Sequence, residues 1–166
     1  RRVSPGACCV TDTNVWIDLR VGNLLDNVFE LDARWMIPDL VGRELGTDRK
    51  ELLVEWGLQV RSLDGEEIEA VGRLNQSYSA PSRTDMATLV VARAEDGILV
   101  TGDGALRAAA DEEDIEVHGS LWVVDALVDT GTVEPPEAAR ALQLMMEADR
   151  RLPEDEVHHR LENWSQ

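Results

Sequence analysis

Gly97-Ile98-Leu99-Val100-Thr101-Gly102-Asp103 is the stretch whose reading decides the fold. An apolar run closes on a small polar turn, and an acidic residue stands just before the alanine-rich segment 105–110. A short apolar run bounded by turn residues reads as a buried strand feeding a helix. Asp103 then lies at the carboxyl end of a strand, the edge where open α/β sheets place ligands. The start of the chain repeats the arrangement: residues 8–11 form a short apolar strand, Asp12 ends it, and Thr13-Asn14 begins the next turn or helix. Aspartate in this position is also a common helix cap. Either residue alone therefore has a purely structural reading.

Working outward, apolar residues at helical spacing cover 15–19 and 24–31, with a break at 20–23. A second strand is expected at 34–37. Pro38 is expected as the first residue of a helix through Val41, Glu44 and Leu45, a position that needs no amide partner. Residues 51–56 continue that helix as far as Gly57. Residues 58–63 alternate like an edge strand, and 66–78 and 85–94 return to helical period. Strands at 98–101 and 115–118 then alternate with helices at 105–111 and 121–128. The strand–helix rhythm implies a mostly parallel sheet, covered on both faces and joined by right-handed crossovers. The rhythm stops after that. Pro135-Pro136 precedes one helix and residues 154–164 form another, either capping the domain or offering a surface to a partner.

The chain has 166 residues, enough for one domain with a substantial core. Its 33 acidic and 16 basic residues give a net charge of −17, and Lys50 is the only lysine. The acidic residues are dispersed, which favours adaptation to concentrated salt over selection of a basic partner. This balance argues against nucleic-acid binding through a broad basic face. Cys8 and Cys9 are adjacent in a strand and point to opposite faces, so no disulfide between them is expected and no zinc spacing exists. The expected setting is cytoplasmic, with no membrane-spanning stretch.

Four carboxylates converge on the carboxyl edge in this topology. Asp12 and Asp103 end strands, Asp85 opens an apolar helix, and Glu44 lies in the helix after the second strand. Carboxylates forced together repel unless a cation or protons intervene. All-oxygen donors suit Mg2+ or Mn2+ better than zinc. A metal there orients and activates water and offsets charge growing on a phosphoryl group, which suits phosphodiester hydrolysis. Arg43 and Arg83 neighbour two of the carboxylates and Arg107 lies one turn beyond Asp103. These arginines are candidates for phosphate binding or for structural ion pairs.

The combination Asp12-Thr13-Asn14, residues 38–45 with Glu44, residues 82–85, and Thr101-Gly102-Asp103 resembles the PIN-domain family across residues 8–118. The resemblance implies a three-layer α/β/α core at 8–118, with a mostly parallel sheet of about five strands and a helical extension at 119–166. It implies a metal-dependent ribonuclease using Mg2+ or Mn2+, with Asp12, Glu44, Asp85 and Asp103 as catalytic and metal-binding residues. Thr13, Asn14, Ser82 and Thr101 would orient carboxylates or water. Many members are toxins of toxin–antitoxin pairs, so RNA, a cognate antitoxin and a second copy of the chain are the implied partners. Residues His118-Gly119-Ser120-Leu121-Trp122 and the last two helices resemble a prokaryotic subgroup often without an assigned function.

Three rivals are weighed against this reading. A PIN-like regulatory or protein-interaction module would keep the fold and cleave nothing. An aspartyl phosphotransferase needs a second aspartate two residues after Asp12, where Asn14 stands, and a late lysine, whereas Lys50 comes early. Dinucleotide binding is disfavoured because no glycine-rich turn follows the first strand. The five tryptophans are dispersed and expected to pack elements, and the three histidines form no ligand set.

Overall fold

Five parallel strands, all short, form the centre of the computed structural model, which describes residues 3–165. They are β1 (Ala7–Thr11), β2 (Ala33–Pro38), β3 (Gln59–Arg61), β4 (Ile98–Val100) and β5 (Val117–His118), in the order β3-β2-β1-β4-β5. Cys9 is opposite Trp35 on one side and Ile98 on the other, so β1 is central and buried on both faces. The two-residue alternation of strands sorts the side chains. Cys8, Val10, Met36 and Leu99 enter one core, and Cys9, Ile37 and Val100 enter the other.

Helices α1 (Thr13–Val21), α2 (Leu25–Val28), α3 (Asp39–Leu45) and α4 (Thr47–Trp56) connect β1, β2 and β3 and bury against the Cys9 face. Helices α5 (Gly65–Ser77), α6 (Arg83–Ala94) and α7 (Gly104–Glu112) bury against the Cys8 face. The direction of strand addition reverses between β1 and β4, and the covering helices change face with it, as crossovers of one hand require. The result is a three-layer α/β/α fold. Helices α8 (Ser120–Asp129), α9 (Pro135–Glu147) and α10 (Glu154–Trp164) follow β5 and add Leu127, Leu142, Met145 and Val157 to the Cys9-side core. None of the described helices is long and apolar enough to cross a membrane.

Local chemistry explains the boundaries. Helix α6 is buried from Met86 through Ala92, all round its circumference, so its first turn must sit at the edge of the core. The expected single helix through residues 38–56 is two helices. Gly46, at φ +87°, takes a conformation that L side chains rarely adopt and ends α3. Pro38 is the last residue of β2 and the residue before α3, not its first helical residue. The helix expected over 24–31 contracts to α2, because Phe29 and Leu31 turn inward. Phe29 stacks on Trp16 at 5.6 Å, and Trp16 meets Trp35 edge-on at 5.8 Å. Those two tryptophans are packing residues.

Gly97 shows how closely β4 is seated. A Cβ there would stand 2.7 Å from the Cys8 carbonyl oxygen, a backbone atom that cannot swing away. Gly97→Ala is expected to lower unfolding free energy by about 1–3 kcal/mol. Gly72, inside α5 with open space around it, should gain about 0.5–1 kcal/mol on replacement by alanine. Urea unfolding of the two variants beside the native chain measures both signs.

Candidate active site

The reversal between β1 and β4 leaves a crevice at their carboxyl ends, the usual ligand position of an open α/β sheet. Asp12 follows β1 directly and caps α1, its Oδ1 accepting the Val15 amide at 3.1 Å. Across the crevice, the Thr101 hydroxyl donates to Asp12 Oδ2 at 2.5 Å. The same hydroxyl oxygen accepts the Asp103 amide at 3.1 Å. Asp103 in turn caps α7 through Leu106, with 2.9 Å from that amide to Oδ1. One threonine thus joins the two strand-end aspartates.

Asp85 opens α6, which packs on the same face of the sheet as α7. It is the third residue of α6 and forms a reciprocal capping box with Ser82, accepting the Ser82 amide at 2.9 Å while its own amide donates to Ser82 Oγ at 3.0 Å. Glu44, near the end of α3, accepts the Thr13 hydroxyl at 3.1 Å. Asn14 Oδ1 accepts from Arg150, at 3.3 Å. Among the described residues no three His, Cys, Asp or Glu side chains stand together as a ready-made metal shell. The cause is visible in the caps: Asp12, Asp85 and Asp103 each turn an oxygen to the amides of a helix start, and Glu44 leans to Thr13.

The electrostatics of Asp12 are nevertheless unbalanced. Its side chain is buried, and both oxygens meet neutral donors, with no ion pair among the described residues. Burial pushes its carboxyl up to about 6, against the opposing hydrogen bonds from Thr101 and Val15, and the charges of Asp85 and Asp18 add to the rise. A buried carboxylate facing other carboxylates, with no cation beside it, fits a divalent ion in its donor chemistry. The donors are all oxygen, as magnesium and manganese prefer. Magnesium commonly takes only one or two protein carboxylates, with water and phosphate completing its shell. The arrangement therefore fits an open, hydrated site and not a closed protein cage.

Two clefts flank this edge. Arg43 and Arg83 line one beside Asp39 and Leu63, over the β2–β3 side. Arg107 lines the other, over the β4–β5 side, with one guanidinium nitrogen 3.2 Å from the Thr101 carbonyl. Sequence reasoning missed a third feature. Asp18, buried on α1, accepts the Ser120 hydroxyl at 2.7 Å and Arg150 Nε at 2.6 Å, and the same arginine reaches Asn14. The available signal was a lone aspartate inside the otherwise apolar run Val15-Trp16-Ile17-Asp18-Leu19.

A parallel sheet covered by helices on both faces, with Asp12 and Asp103 at its switch point, defines a three-layer α/β/α class. The chain belongs to the PIN-domain family, whose profile matches residues 8–166. That match spans β1 through the last helices, so α8–α10 are part of the family's pattern. No curated protein matches the chain.

The burial of Asp12 predicts a pH signature in metal-free protein. Its folded pKa lies above its ordinary value of 3.8, so protonation favours the folded state. That stabilisation is complete below about pH 4 and is lost as pH rises through about 6. Asp12→Asn keeps a good capping oxygen and removes the charge. It is expected to exceed the native chain in stability at neutral pH by about 2–3 kcal/mol, with the advantage shrinking as pH falls through about 6 and gone below about pH 4. Thermal unfolding of both chains across this pH range, in chelator, provides the check.

Proposed function

We propose that the protein is a metal-dependent ribonuclease that hydrolyses RNA phosphodiester bonds. The observation that carries this reading is the Thr101 hydroxyl joining Asp12 and Asp103 at the switch point, with Asp12 buried and without a cationic partner among the described residues. Asp12, Asp85 and Asp103 would hold Mg2+ or Mn2+, with Glu44 completing or positioning the environment. The ion, when bound, lowers the pKa of water and offsets charge on the phosphoryl group.

The chain's own groups supply orientation. Asp85 Oδ1 and Asp103 Oδ2 have no hydrogen-bond partner among the described residues, so each is open to accept a proton-bearing water. In the reaction a water oxygen bonds to phosphorus and the bond from phosphorus to the leaving ribose oxygen breaks. The proton released by the water is balanced by one taken up on that leaving oxygen. Thr101 keeps Asp12 in place, Thr13 does the same for Glu44, and Ser82 for Asp85. Arg43, Arg83 and Arg107 flank the edge as phosphate contacts.

One observation favours a second reading, a PIN-like interaction module without catalysis. Every proposed ligand already has a capping or hydroxyl partner, and Leu52, Val54 and Trp56 of α4 are substantially exposed. Leu52 and Trp56, one turn apart on α4, form an exposed apolar pair that suits association with a second copy or with a cognate antitoxin, which would make the protein a toxin held in check by its partner.

Calorimetric titration with manganese in high-salt buffer, beside incubation with mixed structured and unstructured RNAs, separates the two. The native chain is expected to bind manganese saturably and to cut RNA, and Asp103→Asn to lose both while remaining folded. Thr101→Val, which removes the hydroxyl behind Asp12, should weaken metal affinity about 10–100-fold. Manganese binding with no cleavage of any RNA would favour the interaction module. No binding of either ion by folded native protein would leave the carboxylates as caps.

A further inference from the structure

Arg150 and Arg160 hold their carboxylates in different ways. Arg160 closes side-on upon Asp125, with Nε on one oxygen and Nη2 on the other, both at 2.8 Å. Arg150 sets only Nε on the buried Asp18, at 2.6 Å, because the Ser120 hydroxyl already occupies the second oxygen at 2.7 Å. Its Nη2 is left to donate to Asn14 Oδ1 at 3.3 Å. An ion pair of purely structural use is best served by the bidentate form, the stronger of the two. Here a serine diverts half of the guanidinium fork to the head of α1.

Each member of this network is fixed by its own element. Asn14 and Asp18 lie one turn apart on α1, the helix whose first amides Asp12 caps. Ser120 opens α8. Arg150 stands where α9 stops. Asp149 takes φ +57°, its amide donates to the Met146 carbonyl at 3.1 Å, and the Arg150 amide donates to the Met145 carbonyl at 3.0 Å. That left-handed helix end fixes where the arginine leaves the chain.

Arginine has no acceptor atom, so the side-chain oxygen of Asn14 must face it. The NH2 group of the same amide is thereby turned away from Arg150 and has no hydrogen-bond partner among the described residues. Asn14 is exposed and stands two residues beyond Asp12. Thr13 and Thr101 spend their hydroxyl protons on Glu44 and Asp12. Asn14 keeps both of its N–H groups for an incoming acceptor, and an anionic phosphoryl oxygen is the acceptor they hold most strongly.

We propose that Arg150 is a positioning residue: it holds the Asn14 amide so that its N–H groups receive a phosphoryl oxygen beside Asp12. This role rests on the nuclease reading and gives the connection from α9 to α10 a part in the site, although that connection supplies no metal ligand.

Two measurements test it. The first is the 15N order parameter of the Asn14 side-chain amide in metal-free protein. It is expected near about 0.8 in the native chain and below about 0.6 in Arg150→Lys and Ser120→Ala. Lysine keeps a charge for Asp18 but lacks the fork. Ser120→Ala frees the second Asp18 oxygen, so Arg150 closes on it and releases Asn14. A merely structural arginine would be strengthened by that change, whereas a positioning one loses its function. The second measurement is calorimetric titration of adenosine 5′-monophosphate, with manganese and in chelator. Both variants should bind the nucleotide at least about fivefold more weakly, with manganese affinity unchanged. Arg150→Lys should add nothing in an Asn14→Ala background. Melting temperatures confirm folding. A mobile Asn14 amide in the native chain overturns the proposal whatever the variants do, as does native protein that binds no nucleotide. Saturable manganese binding with nucleotide affinity unaltered in the variants removes only the positioning role. Arg150-dependent nucleotide binding without any manganese binding removes only the metal.

Discussion

The hydroxyl of Thr101 on the carboxylate of Asp12 is the contact around which this structure is arranged. It bridges residues 89 apart in sequence, and it forms only if β1 and β4 pair in parallel at the register seen here. That pairing places the reversal of strand order between them and sends the helices of the two halves to opposite faces. The same contact keeps a charge in a buried place. A carboxylate there is tolerated because a hydroxyl and an amide meet its oxygens, yet neither neutralises it. The fold thus maintains, at the crevice between β1 and β4, an acidic group with no counter-charge among the described residues.

Helix capping and metal holding draw on the same property of a carboxylate, its two outward oxygens. Asp85 and Asp103 spend one oxygen on the amides of a helix start and keep the other open. Capping also fixes the side-chain rotamer, so an open oxygen is aimed before anything binds to it. In this sense the structural and functional readings of these residues are not exclusive. Side chains held in this way are preorganised, as a binding site requires. Asp12 differs, since both its oxygens are engaged, and its part is chiefly the buried charge.

Much of this was legible in the sequence because it depends on local pattern. The apolar run before Thr101, the matching run before Asp12, and the Ser82–Asp85 spacing each announce an element boundary by chemistry within a few residues. The order of those boundaries sufficed for the layer architecture, while the four carboxylates chosen from the same boundaries do not stand together as a metal shell among the described residues. What was not legible depends on partners far apart in the chain. Gly46 looks like any glycine until its backbone is seen at positive φ, which divides one expected helix into two. Asp18 looks like a solvent-facing residue until Ser120 and Arg150, from after the last strand, close over it.

The link from Arg150 to Asp18, spanning 132 residues, also bears on how the protein is made. Chains emerge from the ribosome amino terminus first, and α1 is among the first elements available to fold. Until the segment after α9 emerges, Asp18 has no arginine to meet it, and a buried charge without its partner strongly disfavours closure of the core around it. Docking of α1 against its final neighbours is therefore disfavoured until the segment after α9 is available. Through this one ion pair, an element that follows the first strand depends on a segment that follows the last.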